Sequence, residues 1–173
     1  MSMDRVRSAI RDIPDFPKPG ILFKDITPVL SDPVLFKAVV DAFAARHKAN
    51  GVTKIAAVES RGFLFGAAVA YQLGIGLVPV RKKGKLPYKT VEQTYDLEYG
   101  TATLEIHQDA FRAGERVALI DDLLATGGTA RAAAELIEKL GASVVELDFL
   151  VELSFLKGRD KLTRFNIFAP VVF

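Results

Sequence analysis

The sequence contains no cysteine and no tryptophan, and its only histidines are His47 and His107. Without cysteine there is no disulfide framework, no thiolate metal site and no thiol nucleophile. Two histidines are too few for a His-rich metal site. A surplus of one charge is also missing: 23 Lys and Arg face 21 Asp and Glu, a net charge of +2. So small an excess does not suit a general nucleic-acid binder, and no nucleic-acid partner is expected. No apolar run approaches the ~20 residues of a membrane helix. Met1 to Arg11 is charged throughout and lacks the apolar core of a signal peptide. A soluble cytoplasmic protein without a membrane partner is expected. What the chain does have is apolar material, 50% of 173 residues, enough for the core of one domain spanning residues 1–173.

The fold class follows from alternation. Met3 to Ile10 reads as a short helix, ended by Pro14, Pro17, Pro19 and Gly20, which impose an extended or turning path. Ile21-Leu22-Phe23 is apolar but too brief for a helix. Asp32 is a candidate N-cap with Pro33 in the first helical position, and the helix behind it stops at Asn50-Gly51. Ile55–Val58, Leu77–Val80, Val117–Ile120 and Val144–Val151 are continuous apolar runs, as buried parallel strands tend to be. Between them lie helices over Gly62–Leu73 and Thr129–Leu140. Strands alternating with helices predict an α/β fold with a central parallel sheet covered on both faces. The polar stretch from Arg81 to about Thr101 is too long for an ordinary connection and reads as a loop.

The most informative stretch is Val117 to Thr129: a buried strand, the carboxylates Asp121 and Asp122, then Ala125-Thr126-Gly127-Gly128-Thr129 opening a helix. Free backbone N–H groups and two hydroxyls at a helix N-terminus suit a phosphate monoester. Glycine lets the backbone approach it without a Cβ in between. A carboxylate pair facing the phosphate directly would repel it, whereas a ribose between them donates hydroxyls to the acids and presents its 5′-phosphate to the N–H groups. Alternatively the two aspartates cap a turn and the glycines form a plain loop. Neither G-x-x-x-x-G-K-[ST] nor G-x-G-x-x-G is present.

This segment resembles the signature of the phosphoribosyltransferases. Further stretches match the adenine-using members in the same order over nearly the whole chain: Pro17–Thr27, Glu59-Ser60-Arg61-Gly62-Phe63-Leu64-Phe65-Gly66, Arg81-Lys82-Lys83-Gly84-Lys85-Leu86-Pro87 and Tyr95-Asp96-Leu97-Glu98-Tyr99-Gly100. The resemblance implies a type I phosphoribosyltransferase fold, with a small N-terminal hood over about 1–32 and a mobile lid over about 82–103. It implies transfer of a phosphoribosyl group to adenine in purine salvage, with Mg²⁺ as cofactor, carried by the pyrophosphate substrate and not held directly by the protein. It also implies a homodimer with shared sites.

Residue by residue, the resemblance assigns the ribose and 5′-phosphate to Asp121, Asp122 and Ala125–Thr129. It assigns pyrophosphate to Glu59, Ser60 and Arg61, with a non-proline cis peptide near Glu59-Ser60, and to Arg81, Lys82 and Lys85. Read alone, Arg61 is equally a surface arginine and the basic run a solvated loop. Phe23 would stack on adenine while backbone groups of Leu22 and Lys24 read its edge; read alone, Phe23 is a core residue. One departure is Lys24, where many members carry arginine. Glu98 would accept the proton the base loses, with Tyr99 packed beside it, though by itself Glu98 is an ordinary exposed glutamate. His107 reads as a structural histidine in a strand, and His47 as a partner of its helix dipole. Lys157-Gly158-Arg159 is given no chemistry. Two other readings stay open: a relative using a 6-oxopurine, and a non-catalytic sensor of phosphoribosyl pyrophosphate.

Overall fold

The computed structural model describes residues 3–96 and 100–173. Helix α1 (Met3–Ala9) leads into a two-stranded antiparallel sheet of β1 (Arg11–Pro14) and β2 (Leu22–Asp25), with Ile13 opposite Phe23. The proline cluster forms the turn between them, where the Asp15 carboxylate accepts the Gly20 N–H at 2.7 Å. Helix α2 (Thr27–Ser31) precedes α3 (Pro33–Ala49). Asp32 caps α3 as the sequence predicts, accepting the Val34 and Leu35 N–H groups at 2.8 and 3.1 Å. There follow β3 (Lys54–Val58), α4 (Gly62–Leu73), β4 (Gly76–Lys82), β5 (Thr90–Asp96), β6 (Thr101–His107), β7 (Arg116–Leu124), α5 (Gly128–Lys139) and β8 (Ser143–Glu152). Two 3₁₀ turns and the short strands β9 (Ile167–Phe168) and β10 (Val171–Val172) end the chain.

Among the described residues the main sheet has the order β10-β8-β7-β3-β4-β6-β5, with β9 also paired to β8. The β3–β4, β3–β7 and β7–β8 pairs are parallel, as expected for continuous apolar runs. Alternate side chains of these strands enter two cores. Ile55, Ala118, Ile120 and Leu150 pack with Val39, Phe43, Phe65 and Val69 of α3 and α4. Ala56, Val58, Leu119 and Phe149 pack with Ala133, Leu136 and Ile137 of α5. No described helix is long and apolar enough to cross a membrane.

The structure corrects two expectations and extends a third. First, the polar stretch after Arg81 is largely strand: β5 pairs antiparallel with β6, and β6 antiparallel with β4, so the sheet is mostly, not wholly, parallel. Its cue is period-two burial, with Val91, Gln93 and Tyr95 partly buried and Glu92, Thr94 and Asp96 exposed, a pattern obscured by polar composition. Second, β7 does not end before Asp121 but runs on to Leu124, because β8 is long enough to pair Leu123 with Val151 and Leu124 with Glu152. Third, His47, in the last turn of α3 as read, does more than face its helix dipole. It is buried, and its Nε2 hydrogen-bonds Asp148 Oδ2 across to β8. His107 lies in β6 as expected, where its Nε2 accepts the Tyr88 N–H at 3.4 Å.

Beside His47, Arg46 donates from Nε and Nη2 to the Glu146 carboxylate at 2.9 and 2.5 Å. His47, Glu146 and Asp148 lie close enough to ligate a metal together, but Arg46 already neutralises Glu146, and the direct His47–Asp148 contact occupies the space between those ligands. Burial pushes the Asp148 carboxyl up to about 6 from its ordinary 3.8, even though His47 opposes the shift. The folded protein therefore holds this proton more tightly than the unfolded chain does. The group's contribution is fully present below its unfolded value and is lost as pH rises through about 6. Asp148→Asn removes that loss. Its stability relative to wild type, measured by urea unfolding, is expected to improve by on the order of 2–3 kcal/mol between pH 4 and pH 7. A difference that stays flat with pH would refute the shift.

Candidate active site

Ligands of an open α/β sheet collect beyond the carboxyl ends of its parallel strands. Here β3 ends at Val58, opposite Val80, and both β4 and β7 continue past it. A cleft of about 510 Å³ opens at this point, lined by Glu59, Ser60 and Arg61 after β3, Lys82 and Lys85 after β4, and Asp121 and Asp122 of β7. A second cavity of about 80 Å³ is lined by Ala125–Thr129 and shares Asp121, Leu123 and Thr129 with the cleft. The fold thus unites three segments that are far apart in the sequence.

Close backbone approach shapes both cavities. Gly62 begins α4 directly against β7: a Cβ there would lie 2.9 Å from Ile120 O and 3.0 Å from Asp121 Oδ1. Gly127, the N-cap of α5, adopts φ 79°, and a Cβ on it would meet Gly158 O at 2.4 Å. Both positions require glycine.

Two guanidinium–carboxylate pairs order the charges of the cleft. Arg61 Nε hydrogen-bonds Asp122 Oδ2, and the Asp122 N–H donates to Asp121 Oδ1 at 2.8 Å. Burial, reinforced by the neighbouring Asp122 carboxylate, pushes the Asp121 carboxyl well above the usual range. Glu59 turns to the basic segment: its Oε2 accepts from Arg81 Nε and Nη2 at 3.1 and 3.0 Å, and its Oε1 from the Lys82 N–H at 2.7 Å. Burial opposes ionisation of Glu59, but these donors outweigh it, and its carboxyl lies below the usual range. The Glu59–Ser60 peptide is cis. Arg81 also reaches Lys85 O at 3.2 Å, while Lys82 and Lys85 line the cleft.

The residues assigned to the base stand on the two-stranded sheet. Phe23 packs edge-on to Phe16, with ring centroids 5.1 Å apart, and the Arg61 guanidinium lies 5.8 Å from its ring centroid. Arg61 therefore joins the Phe23 region to the cleft. Leu22 is exposed. The Lys24 side chain is held by Asp12 at 2.6 Å, with Nζ 3.9 Å from the Phe173 ring centroid. Glu98 and Tyr99 lie outside the described residues.

Two contributors carry no role in the sequence reading. Tyr95 of β5 lines the cleft, and its hydroxyl lies 3.1 Å from Thr129 Oγ1. Gly158 is buried against the loop before α5, where a Cβ would fall 2.3 Å from Ala125 O. The signal for Tyr95 is the strand alternation; for Gly158 it is a lone glycine between two charged residues, which has no local meaning.

Residues 27–162 match the family model described as phosphoribosyl transferase domain. The adenine phosphoribosyltransferase of Syntrophotalea carbinolica is 56% identical over 171 residues, covering 99% of this chain and 100% of that one. The crystal structure of the adenine phosphoribosyltransferase from Thermoanaerobacter pseudethanolicus is similar with a TM-score of 0.96 at 52% identity, covering 99% of this chain and 100% of that one. The enzyme from Saccharomyces cerevisiae, complexed with an imino-altritol bisphosphate and adenine, gives a TM-score of 0.92 at 44% identity over 97% of both chains.

Because Gly158 and the Ala125 carbonyl are in such close approach, Gly158→Ala is expected to displace the loop before α5. The expected cost is about 1–3 kcal/mol of stability, as for other overpacked sites, together with weaker binding of inorganic phosphate. Urea unfolding and a phosphate titration check both; wild-type values in both would show that the loop can yield.

Proposed function

The chain belongs to the phosphoribosyltransferase family, among its adenine-using members, and from that premise we propose how its cleft joins adenine to 5-phospho-α-D-ribose 1-diphosphate. The reaction is a pentosyl transfer of purine salvage that yields AMP and pyrophosphate. A bond forms between adenine N9 and C1′ while the C1′–O bond to pyrophosphate breaks. Pyrophosphate leaves with the bonding electrons, and the base loses a proton.

The observation that carries the assignment is the order of groups along two adjoining cavities: an N–H cradle, then two carboxylates, then cations. In this reading the backbone N–H groups and hydroxyls of Ala125–Thr129 hold the 5′-phosphate. Asp121 and Asp122 accept the ribose hydroxyls. Ser60, Arg61, Lys82 and Lys85 hold the pyrophosphate, with Glu59 and Arg81 ordering the basic segment. Such donors stabilise the charge on the leaving group more than they stabilise intact substrate, which is what accelerates the step. The Arg61–Asp122 pair is then exchanged for contacts to pyrophosphate and ribose. Mg²⁺ keeps several waters and favours phosphate oxygens. In the cleft the Glu59 and Asp122 carboxylates are engaged by Arg81 and Arg61, a donor set that would leave the ion to the pyrophosphate oxygens. Bound there, it would neutralise the leaving group.

For the base, β2 is one strand of a two-stranded sheet, so its outer edge retains peptide groups that can pair with adenine. With the Lys24 side chain committed to Asp12, the edge is read by backbone at Leu22 and Lys24 while Phe23 stacks. A C=O that accepts from the 6-amino group and an N–H that donates to N1 are both mismatched by a 6-oxopurine. Glu98 takes the proton leaving the base, and Tyr99 packs beside it and excludes water.

The partner is a second copy of this chain. Leu64 and Tyr71 of α4, seven residues apart on one helix face, are exposed, and Leu77 and Tyr88 are exposed on the β4 side. A sedimentation coefficient corresponding to one 18.9-kDa chain at working concentrations would exclude the dimer.

AMP formation from phosphoribosyl pyrophosphate and Mg²⁺ tests the base assignment, with adenine set beside hypoxanthine, guanine and xanthine. Adenine is expected to be preferred by about 10⁴–10⁵, and Glu98→Gln to lower its kcat by about 10²–10⁴. Comparable turnover with a 6-oxopurine would overturn the assignments of Leu22, Phe23 and Lys24.

A further inference from the structure

Glu105 lies in β6 between Leu104 and Ile106 and is only 3% exposed. Buried carboxylates are ordinarily paired with a cation, but among the described residues Glu105 forms no ion pair. Its partners are backbone groups. Oε1 accepts the Lys85 N–H at 2.8 Å and the Leu86 N–H at 2.7 Å. The Gly84 N–H and the Thr90 hydroxyl also favour its ionised form, and against the opposing effect of burial they keep its carboxyl below the usual range. The turn it gathers is the basic one whose Lys85 lines the cleft.

This turn is tied at three other points. Gly84 supplies the left-handed φ of 82° that reverses the chain. The Lys83 N–H donates to Thr103 O at 3.0 Å. Arg81, opposite Glu105 in the β4–β6 register, bridges from Glu59 to Lys85 O. Glu59 and Glu105 therefore grip the two ends of the Arg81–Leu86 segment. A buried charge devoted to the N–H groups of a surface turn makes physical sense if the position of that turn matters. Charge-assisted bonds to successive N–H groups fix a backbone much more tightly than solvent would.

We propose that Glu105 is a positioning residue for the pyrophosphate end of the cleft, presetting Lys85 by clamping the Lys85–Leu86 backbone. The proposal rests on the assignment of Lys85 to pyrophosphate. Glu105 touches no substrate. It lowers the ordering cost that a flexible lysine-bearing turn would otherwise meet on binding.

The test is steady-state kinetics on Glu105→Gln, Glu105→Ala, Lys85→Ala and the double variant Glu105→Gln/Lys85→Ala, with thermal melting of each. Glu105→Gln keeps the shape and removes the charge. It is expected to raise KM for phosphoribosyl pyrophosphate about tenfold, leaving KM for adenine within about twofold. The double variant is expected to raise it no further than Lys85→Ala alone, since a clamp acting through Lys85 is silent without it. Should Lys85→Ala raise KM while folded Glu105→Gln and Glu105→Ala do not, the clamp is refuted and the pyrophosphate assignment stands. Equal rises in both KM values with a fall in melting temperature would show a merely structural glutamate, which also refutes it. An unchanged KM in Lys85→Ala would overturn the assignment of Lys85 and the clamp with it.

Discussion

A site for a polyanion must gather cations before the anion arrives, and the mutual repulsion of those cations is the constraint around which this cleft is organised. Several cations in and beside it are balanced locally. Arg61 is held by Asp122, Arg81 by Glu59, and Lys83 by Glu92, while Glu105 receives the backbone beside Lys85. Partly buried pairs of this kind gain little net stability, because desolvation offsets most of the Coulomb attraction. Their effect is geometric: they hold guanidinium and ammonium groups in place in and beside the cleft.

The sheet places those pairs where they can cooperate. Parallel pairing of β3 with both β4 and β7 brings the Glu59–Arg61 turn, the basic segment and the acidic pair to one edge. Continuation of β7 through Asp121 and Asp122 makes the carboxylates part of a strand, whereas Ala125–Thr129 beyond them passes from a turn into the first residues of α5. The antiparallel β5–β6 pair closes the open side, and it carries both Tyr95 to the cradle and Glu105 to the basic turn.

Much of this was legible from residue order. The Asp32 cap, the buried strands and the glycine-rich opening of α5 are written in local chemistry, and local chemistry is what a sequence displays directly. Polar composition hid β5, since a strand on the edge of a sheet buries one face only. The buried partner of His47 went unseen because Asp148 is remote in sequence and nothing near either residue announces the other. Gly158 had no visible purpose for the same reason: the carbonyl it makes room for belongs to Ala125.

By itself the sequence determined the α/β class, the acidic pair before a phosphate-type turn, and the membership that follows from the ordered motifs. These depend on periodicity and on neighbours within a few residues, which a linear chain fixes. Tertiary structure alone decided that Lys24 faces Asp12 and Phe173, that Arg61 stands between Phe23 and Asp122, and that Glu105 holds the basic turn. Each of these contacts joins residues brought together only by strand order or by the packing of the small sheet on the large one. Their energies depend on distance and burial, and neither exists until the chain has folded.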